Sequence, residues 1–203
     1  MLEYKPDYKN IIEELQRRQI NCFYHFTLKE NLKSIIKARG LLSRNKMREL
    51  NIQPTKLHGW GRKGKQEEFA SYICLSINLP RGMIKKENRG DIFIFEIDIW
   101  VAALSDTLFS LKNTAYDGVE LENVKGRDNL ESLCDLFIDD DTAKLKNLMS
   151  EILIKDIVPL KYVKSVKYFG SLSWKHRLIL YRNLIFNLKQ VENDAFIHPY
   201  PVL

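Results

Sequence analysis

The chain has 203 residues, of which 45% are hydrophobic and 29% charged. This is the composition of an ordinary globular protein with room for one substantial core, and it excludes a disordered tail, a collagen-like chain and a coiled coil. The net charge of +6 is unevenly spread. Residues 29–65 carry eleven Lys or Arg against two acids and residues 155–189 eight against one, whereas residues 106–149 carry five against ten. Basic blocks of this kind favour a polyanion such as nucleic acid, or a phosphate-bearing small molecule; a solvated basic face without a partner has the same composition.

The longest uncharged apolar runs, residues 92–95 and 99–104, are far too short for a membrane span. The opening MLEYKPDYKN is charged and lacks the apolar centre of a secretory signal. Cys22, Cys74 and Cys134 are widely separated and odd in number, which fits reduced thiols in a cytoplasmic protein better than a disulfide framework. No internal repeat or Pro/Gly/Ser-rich linker divides residues 1–203, so a single domain is expected.

Tyr8, Ile11, Ile12 and Leu15 recur at helical spacing and predict an amphipathic helix ending before Asn21. The aromatic residues 22–26 predict a strand. Thr27 to Glu30 then has the form of a capping box, opening a helix with Leu28, Leu32, Ile35 and Ile36 as its buried stripe and Gly40 as its stop. Residues 43–68 read as a long basic loop centred on His58-Gly-Trp-Gly-Arg62, and loops of that length in compact domains are usually functional. Strands are predicted at 72–77 and 92–97, short helices at 129–137 and 142–149, and strands at 151–155 and 163–169. A final helix is expected over 173–190, with Ser173 as N-cap. The order is mixed, without a βαβ repeat, and predicts an α+β fold with a mostly antiparallel sheet.

Several chemistries are disfavoured at once. The chain contains no GxGxxG, no GxxxxGK[ST], no HExxH and no GxSxG. Its four histidines, His25, His58, His176 and His198, have no metal-ligand spacing, so no metal is expected. Polar residues at element ends remain. His25 sits in an aromatic strand just before an expected helix start, where free N–H groups suit a phosphate or carboxamide. Glu151 opens a strand of Ile, Leu and Ile, a setting that disfavours carboxylates. Each has a plain structural alternative: a locally satisfied histidine, an ordinary N-cap at Thr27, and an edge charge facing water at Glu151.

The ordered segments resemble the DarT family, bacterial toxins with an ADP-ribosyltransferase fold that modify bases of single-stranded DNA. Phe23-Tyr-His-Phe-Thr27, Glu30-Asn-Leu-Lys-Ser-Ile35 and Gly40-Leu-Leu-Ser-Arg-Asn45 are similar to the family's opening strand–helix–"GLLSRN" signature. Tyr72-Ile-Cys-Leu-Ser-Ile77 with Pro80-Arg-Gly-Met83 resembles the next strand and its turn, and Phe109-Ser-Leu-Lys-Asn113-Thr-Ala115 an "F-x-x-x-N-A-A" stretch. Ser150-Glu151-Ile-Leu-Ile154 followed by Ile157-Val-Pro-Leu160 looks like the "E-[IV]-L-V … I-P-L" block that carries the catalytic glutamate. One departure bears on the target base: many thymidine-modifying members have "YVPFYF" where this chain has YICLSI.

The resemblance implies a split, mostly antiparallel sheet with flanking helices and an NAD-dependent transfer of ADP-ribose to guanine or thymine of single-stranded DNA. It implies Glu151 as catalytic carboxylate and a basic partner, for which Arg62 matches best and Arg44 and Arg81 are alternatives. His25, Phe26, Thr27 and Leu42 are the expected NAD contacts. A macrodomain antitoxin that reverses the modification is the implied partner. Two other readings remain: an RNA or protein ADP-ribosyltransferase, and a silent single-strand-binding domain using basic patches with Phe23, Tyr24, Trp60 and Tyr72.

Overall fold

The computed structural model describes residues 3–53, 65–79, 92–115, 118–139 and 141–169. Helix α1 (Tyr8–Arg17) forms where its apolar spacing predicts it and buries Ile11, Ile12 and Leu15. It packs on a 3-10 segment, Ile99–Ala103, all of whose residues are buried. The strands are β1 (Cys22–Leu28), β2 (Gly40–Leu42), β3 (Tyr72–Ser76), β4 (Ile92–Asp98), β5 (Leu108–Ser110), β6 (Glu151–Lys155), β7 (Ile157–Pro159) and β8 (Val163–Phe169). Four short helices join α1: α2 (Leu32–Ala38), α3 (Arg44–Glu49), α4 (Lys65–Glu68) and α5 (Leu130–Cys134).

Six strands make one sheet in the order β5-β6-β3-β1-β4-β8, and β2 pairs with β7 in a separate ribbon. Every pairing among the described strands is antiparallel. The sheet is also split. β1 matches β4 over seven registered pairs and β3 matches β6 over five, yet β1 and β3 share one pair, Tyr24 with Ser76. Two three-stranded halves thus meet at a single point.

The alternation of side chains along each strand gives the two faces different interiors. One face carries the main core, with Phe23, Ile73, Leu75, Phe93, Phe95 and Ile152 packed against α1 and its neighbours. The other face is divided. Leu108 and Leu153 cluster with Phe69, Val119 and Val124 on one half, while Ile92 and Ile94 cluster with Leu28, Tyr24 and Phe26 on the other half. Across both halves of this face, along the ends of the two clusters, runs a cross-strand row: Ser110, Glu151, Ser76, Tyr24, Glu96 and Ser165. A polar row therefore crosses the divided face.

Some local expectations give way to pairing. Thr27 does not cap a helix: it lies within β1, opposite Phe93, and its Oγ1 accepts from Asn31 Nδ2 at 3.3 Å. The ladder to β4 continues through Leu28, and a 3-10 turn (Lys29–Asn31) precedes α2. Extended pairing outweighs a cap worth about 1 kcal/mol. Arg39, at φ 54°, ends α2 in the left-handed conformation. Gly40 instead opens β2, where an added Cβ would lie 2.9 Å from the Val158 carbonyl oxygen. Close strand approach, not helix termination, requires that glycine.

The stretch expected as a loop holds α3, capped by Ser43 Oγ accepting from the Lys46 amide at 3.1 Å, and α4. Its centre, with His58, Trp60 and Arg62, lies outside the described residues, as do the turn at 80–83 with Arg81 and the helix expected at 173–190. Residues 142–149 are not helical. Asp139 Oδ1 accepts from the Thr142 amide at 2.8 Å, Asn147 Oδ1 accepts from the Met149 amide at 2.8 Å, and Phe137 bridges to Leu145. Side-chain bonds of this kind compete with helix formation. Only Leu130–Cys134 of the expected helix at 129–137 forms. Among the described residues no helix is long and apolar enough to cross a membrane, and no cluster of His, Cys, Asp or Glu is arranged to hold a metal.

Candidate active site

Glu151 begins β6 and is flanked by β3 on one side and β5 on the other, opposite Ser76 and Ser110. It is 7% exposed, which removes the reading of an edge charge facing water. The turn after β5 supplies its partners. Asn113 Nδ2 donates to Glu151 Oε1 at 2.7 Å, and the Thr114 amide donates to Oε2 at 2.8 Å. Burial pushes the carboxyl up to about 7, against the opposing pull of the Thr114 amide and hydroxyl.

His25 occupies the gap between the halves. Its alternation places it on the opposite face from Tyr24 and Glu151, and Nδ1 lies 3.3 Å from the Cys74 carbonyl of β3. Burial lowers the ring's pKa, although the Cys74 carbonyl works against this. Cys74 also faces the glutamate: its Sγ is 3.3 Å from Thr114 Oγ1, beside the amide that binds Glu151. Burial, reinforced by the charge of Glu151, raises the thiol's pKa and keeps it protonated. One residue of β3 thus connects His25 with the carboxylate site.

The remaining expected NAD contacts are spread around the split. Phe26 is half-buried on the Glu151 face, packed with the smaller cluster of β1 and β4. Thr27 is buried beside Asn31. Leu42 is half-buried in the β2–β7 ribbon, opposite Ile157. Of the three arginines, Arg44 is described: it opens α3, and its charge is a minor influence opposing the rise in the Cys74 thiol's pKa. Helix α3 rests on the approach to β3, with the Asn45 amide donating to Ala70 O at 3.0 Å and Asn45 Nδ2 to Ser71 Oγ at 2.7 Å. Phe23 is fully buried and is not available to stack on a base.

Asn113 and Thr114 were not singled out as site residues from sequence. Their signal lay in the Phe109–Ala115 resemblance, which gave no reason to place that turn against a strand starting 38 residues after Asn113. Antiparallel pairing of β5 with β6 provides the reason.

The split antiparallel sheet thus carries a buried, doubly hydrogen-bonded glutamate level with the point where its halves meet. The family model described as "DarT: ssDNA thymidine ADP-ribosyltransferase, DarT" matches residues 24–183. The chain belongs to the DarT family, and it is an NAD-dependent ADP-ribosyltransferase of single-stranded DNA. The fold is similar to Thermus sp. 2.9 DarT in complex with ADP-ribosylated ssDNA, at 15% identity and TM-score 0.53, over 95% of this chain and 93% of that one. It is also similar to Thermus sp. 2.9 DarT in complex with carba-NAD+, at 16% identity and TM-score 0.53, over 86% and 92%. A third structure, Thermus sp. 2.9 DarT in complex with NAD+, matches at 16% identity and TM-score 0.50, over 85% and 90%. A sequence search of curated proteins gives no match.

With Glu151 as the acting carboxylate, its rise to about 7 on burial would set a pH dependence. Transfer is expected to rise through pH 6–8 and level off above, because protonation removes the charge that favours a developing cation. Initial rates in buffers of constant ionic strength across that range check this, and a flat profile would contradict it.

Proposed function

We propose that Glu151 is the catalytic carboxylate, that NAD lies along the split between β1 and β3, and that the acceptor is thymidine. The observation that carries the reading is the buried Glu151, bonded on both oxygens and set in the polar row that crosses the divided face. As the nicotinamide–ribose bond breaks, its electron pair passes to the nicotinamide nitrogen and positive charge develops on the ribose. A carboxylate accepting a hydrogen bond from a ribose hydroxyl stabilises that charge more in the transition state than in the bound substrate. The base nitrogen then bonds to the anomeric carbon and loses its proton. The products are ADP-ribosylated DNA, nicotinamide and a proton.

In this reading His25, Phe26, Thr27 and Leu42 contact the nicotinamide and its ribose, which the position of His25 at the gap supports. Arg62 is the basic partner by its distance from Tyr72, with Arg44 and Arg81 as the alternatives; Arg44 has the support of its influence on Cys74. The role is to position base and phosphate, since a guanidinium stays protonated. The α3 side, next to β3, meets the phosphates nearest the reacting base. The basic face near Lys161 and Lys167 is a second contact, and its Lys167 is more distant, since β8 lies four strand spacings from β6, about 19 Å. The protein acts as a cytoplasmic toxin opposed by a macrodomain antitoxin that removes the ADP-ribose.

Thymidine follows the description of the matched family. A second reading, guanine, is favoured by the strand YICLSI in place of the aromatic YVPFYF. Modification of a single-stranded oligonucleotide containing all four bases, digestion to nucleosides and mass analysis distinguish them. ADP-ribosyl-thymidine is expected; ADP-ribosyl-guanosine selects the second reading, and modification of neither base contradicts both.

A further inference from the structure

We infer that Asn113 is a positioning residue for the reaction, orienting the Glu151 carboxylate and holding it as an anion by a side-chain hydrogen bond. The inference rests on the catalytic reading of Glu151. The Asn113 amide has two ends, and both are committed. Oδ1 accepts from the Ala115 amide at 2.8 Å, which leaves Nδ2 to face Glu151 Oε1 at 2.7 Å. The Thr114 amide takes Oε2 at 2.8 Å. Each carboxylate oxygen thus has one donor fixed by the protein and further acceptor capacity for a substrate hydroxyl.

The turn that presents Asn113 is fastened on both sides. Ser110 Oγ donates to Lys112 O at 2.7 Å, and Ser150, just before the glutamate, directs its Oγ to Leu111 O at 3.0 Å and Asn147 O at 2.8 Å. The donor and the carboxylate are therefore carried on neighbouring pieces of backbone tied to each other. A neutral amide suits this task better than a lysine or arginine. It orients the carboxylate without a full positive charge that would compete with the developing cation for it.

The other titratable groups around Glu151 do not obscure its titration. The Cys74 thiol on β3 is held protonated, Tyr24 on β1 has its pKa raised, and the His25 ring has its pKa lowered. Ser76 and Ser110, the cross-strand neighbours, carry no charge.

Asn113→Asp separates positioning from a merely structural role. The aspartate keeps an acceptor for the Ala115 amide, so the turn persists, but it removes the donor and sets a second carboxylate against Glu151. The expected result is a folded variant with a KM for NAD within about threefold and kcat lower by roughly 10²-fold, as for loss of one preorganised donor. The acid limb should also move to higher pH, because neighbouring carboxylates oppose each other's ionisation. A folded variant with wild-type kcat and pH profile would overturn the inference. Should the aspartate variant not fold, Asn113→Ala is measured in its place: an acid limb displaced upward supports the inference, and a profile only scaled down overturns it. Glu151→Gln runs in parallel. If it stays active, the catalytic reading itself fails; if it is inactive while Asn113→Asp behaves as wild type, the positioning role alone fails.

Discussion

Glu151→Gln is expected to lower ADP-ribose transfer by roughly 10³-fold, with NAD and DNA binding close to wild type, because the lost interaction is made mainly in the transition state. The same substitution should change the pH dependence of stability in a specific direction. Burial pushes the folded carboxyl up to about 7, well above the usual glutamate value near 4.5. Between those values the native state holds more protons than the unfolded chain, so this group makes stability fall as pH rises. The loss is complete above pH 7 and amounts to roughly 3 kcal/mol at most. Gln has no charge to bury and escapes it. Denaturant melts of both proteins at pH 5 and pH 8 should show the variant gaining on the wild type at the higher pH. An equal stability difference at both pH values would contradict burial as the source of the raised pKa.

Affinity for single-stranded DNA is expected to fall about 50-fold between 50 and 200 mM salt, the response to neutralising roughly four phosphates on a single strand. The net charge alone would suggest a steeper response. Many described cations already have acidic partners, however: Lys46 with Glu49 at 2.7 Å, Arg48 with Glu67 at 2.7 Å, and Lys167 with Glu96. An ion-paired side chain that turns to a phosphate gives up its carboxylate and contributes less to the net release of counterions. Fluorescence anisotropy with a labelled oligonucleotide gives the slope directly. A flat response would argue against phosphate contacts on α3 and β8. Reversal of charge at Arg48 should weaken binding at low salt more than reversal at Lys164, because α3 lies against the approach to β3.

The antiparallel α+β architecture was legible because strand periodicity and composition are local properties. β6 runs over the same residues, 151–155, that its Glu-Ile-Leu-Ile-Lys composition indicated, and β8 likewise over 163–169. Glu151 stood out for a reason that holds in the structure: a carboxylate in an apolar strand is costly, and here it is buried with two donors. What escaped was non-local. No local pattern shows that β1 and β3 meet at one pair, or that the turn after β5 closes over the start of β6. Thr27 misled because a capping-box pattern and a strand end look alike until the partner strand is known. Gly40 misled similarly, since helix termination and close strand approach both select glycine. The expected helix at 142–149 gives way to turns, which the side-chain bonds of Asp139 and Asn147 to the backbone favour.

On the proposed reading, this chain moves ADP-ribose from NAD to single-stranded DNA through Glu151. The most direct measurement uses NAD labelled in its adenylate part, presented to the wild type and to Glu151→Gln with equal amounts of single-stranded DNA, duplex DNA, RNA and protein. Label is expected on single-stranded DNA alone with the wild type, and near background with the folded variant. Equal labelling by both proteins, or label that appears only on RNA or protein, would contradict it.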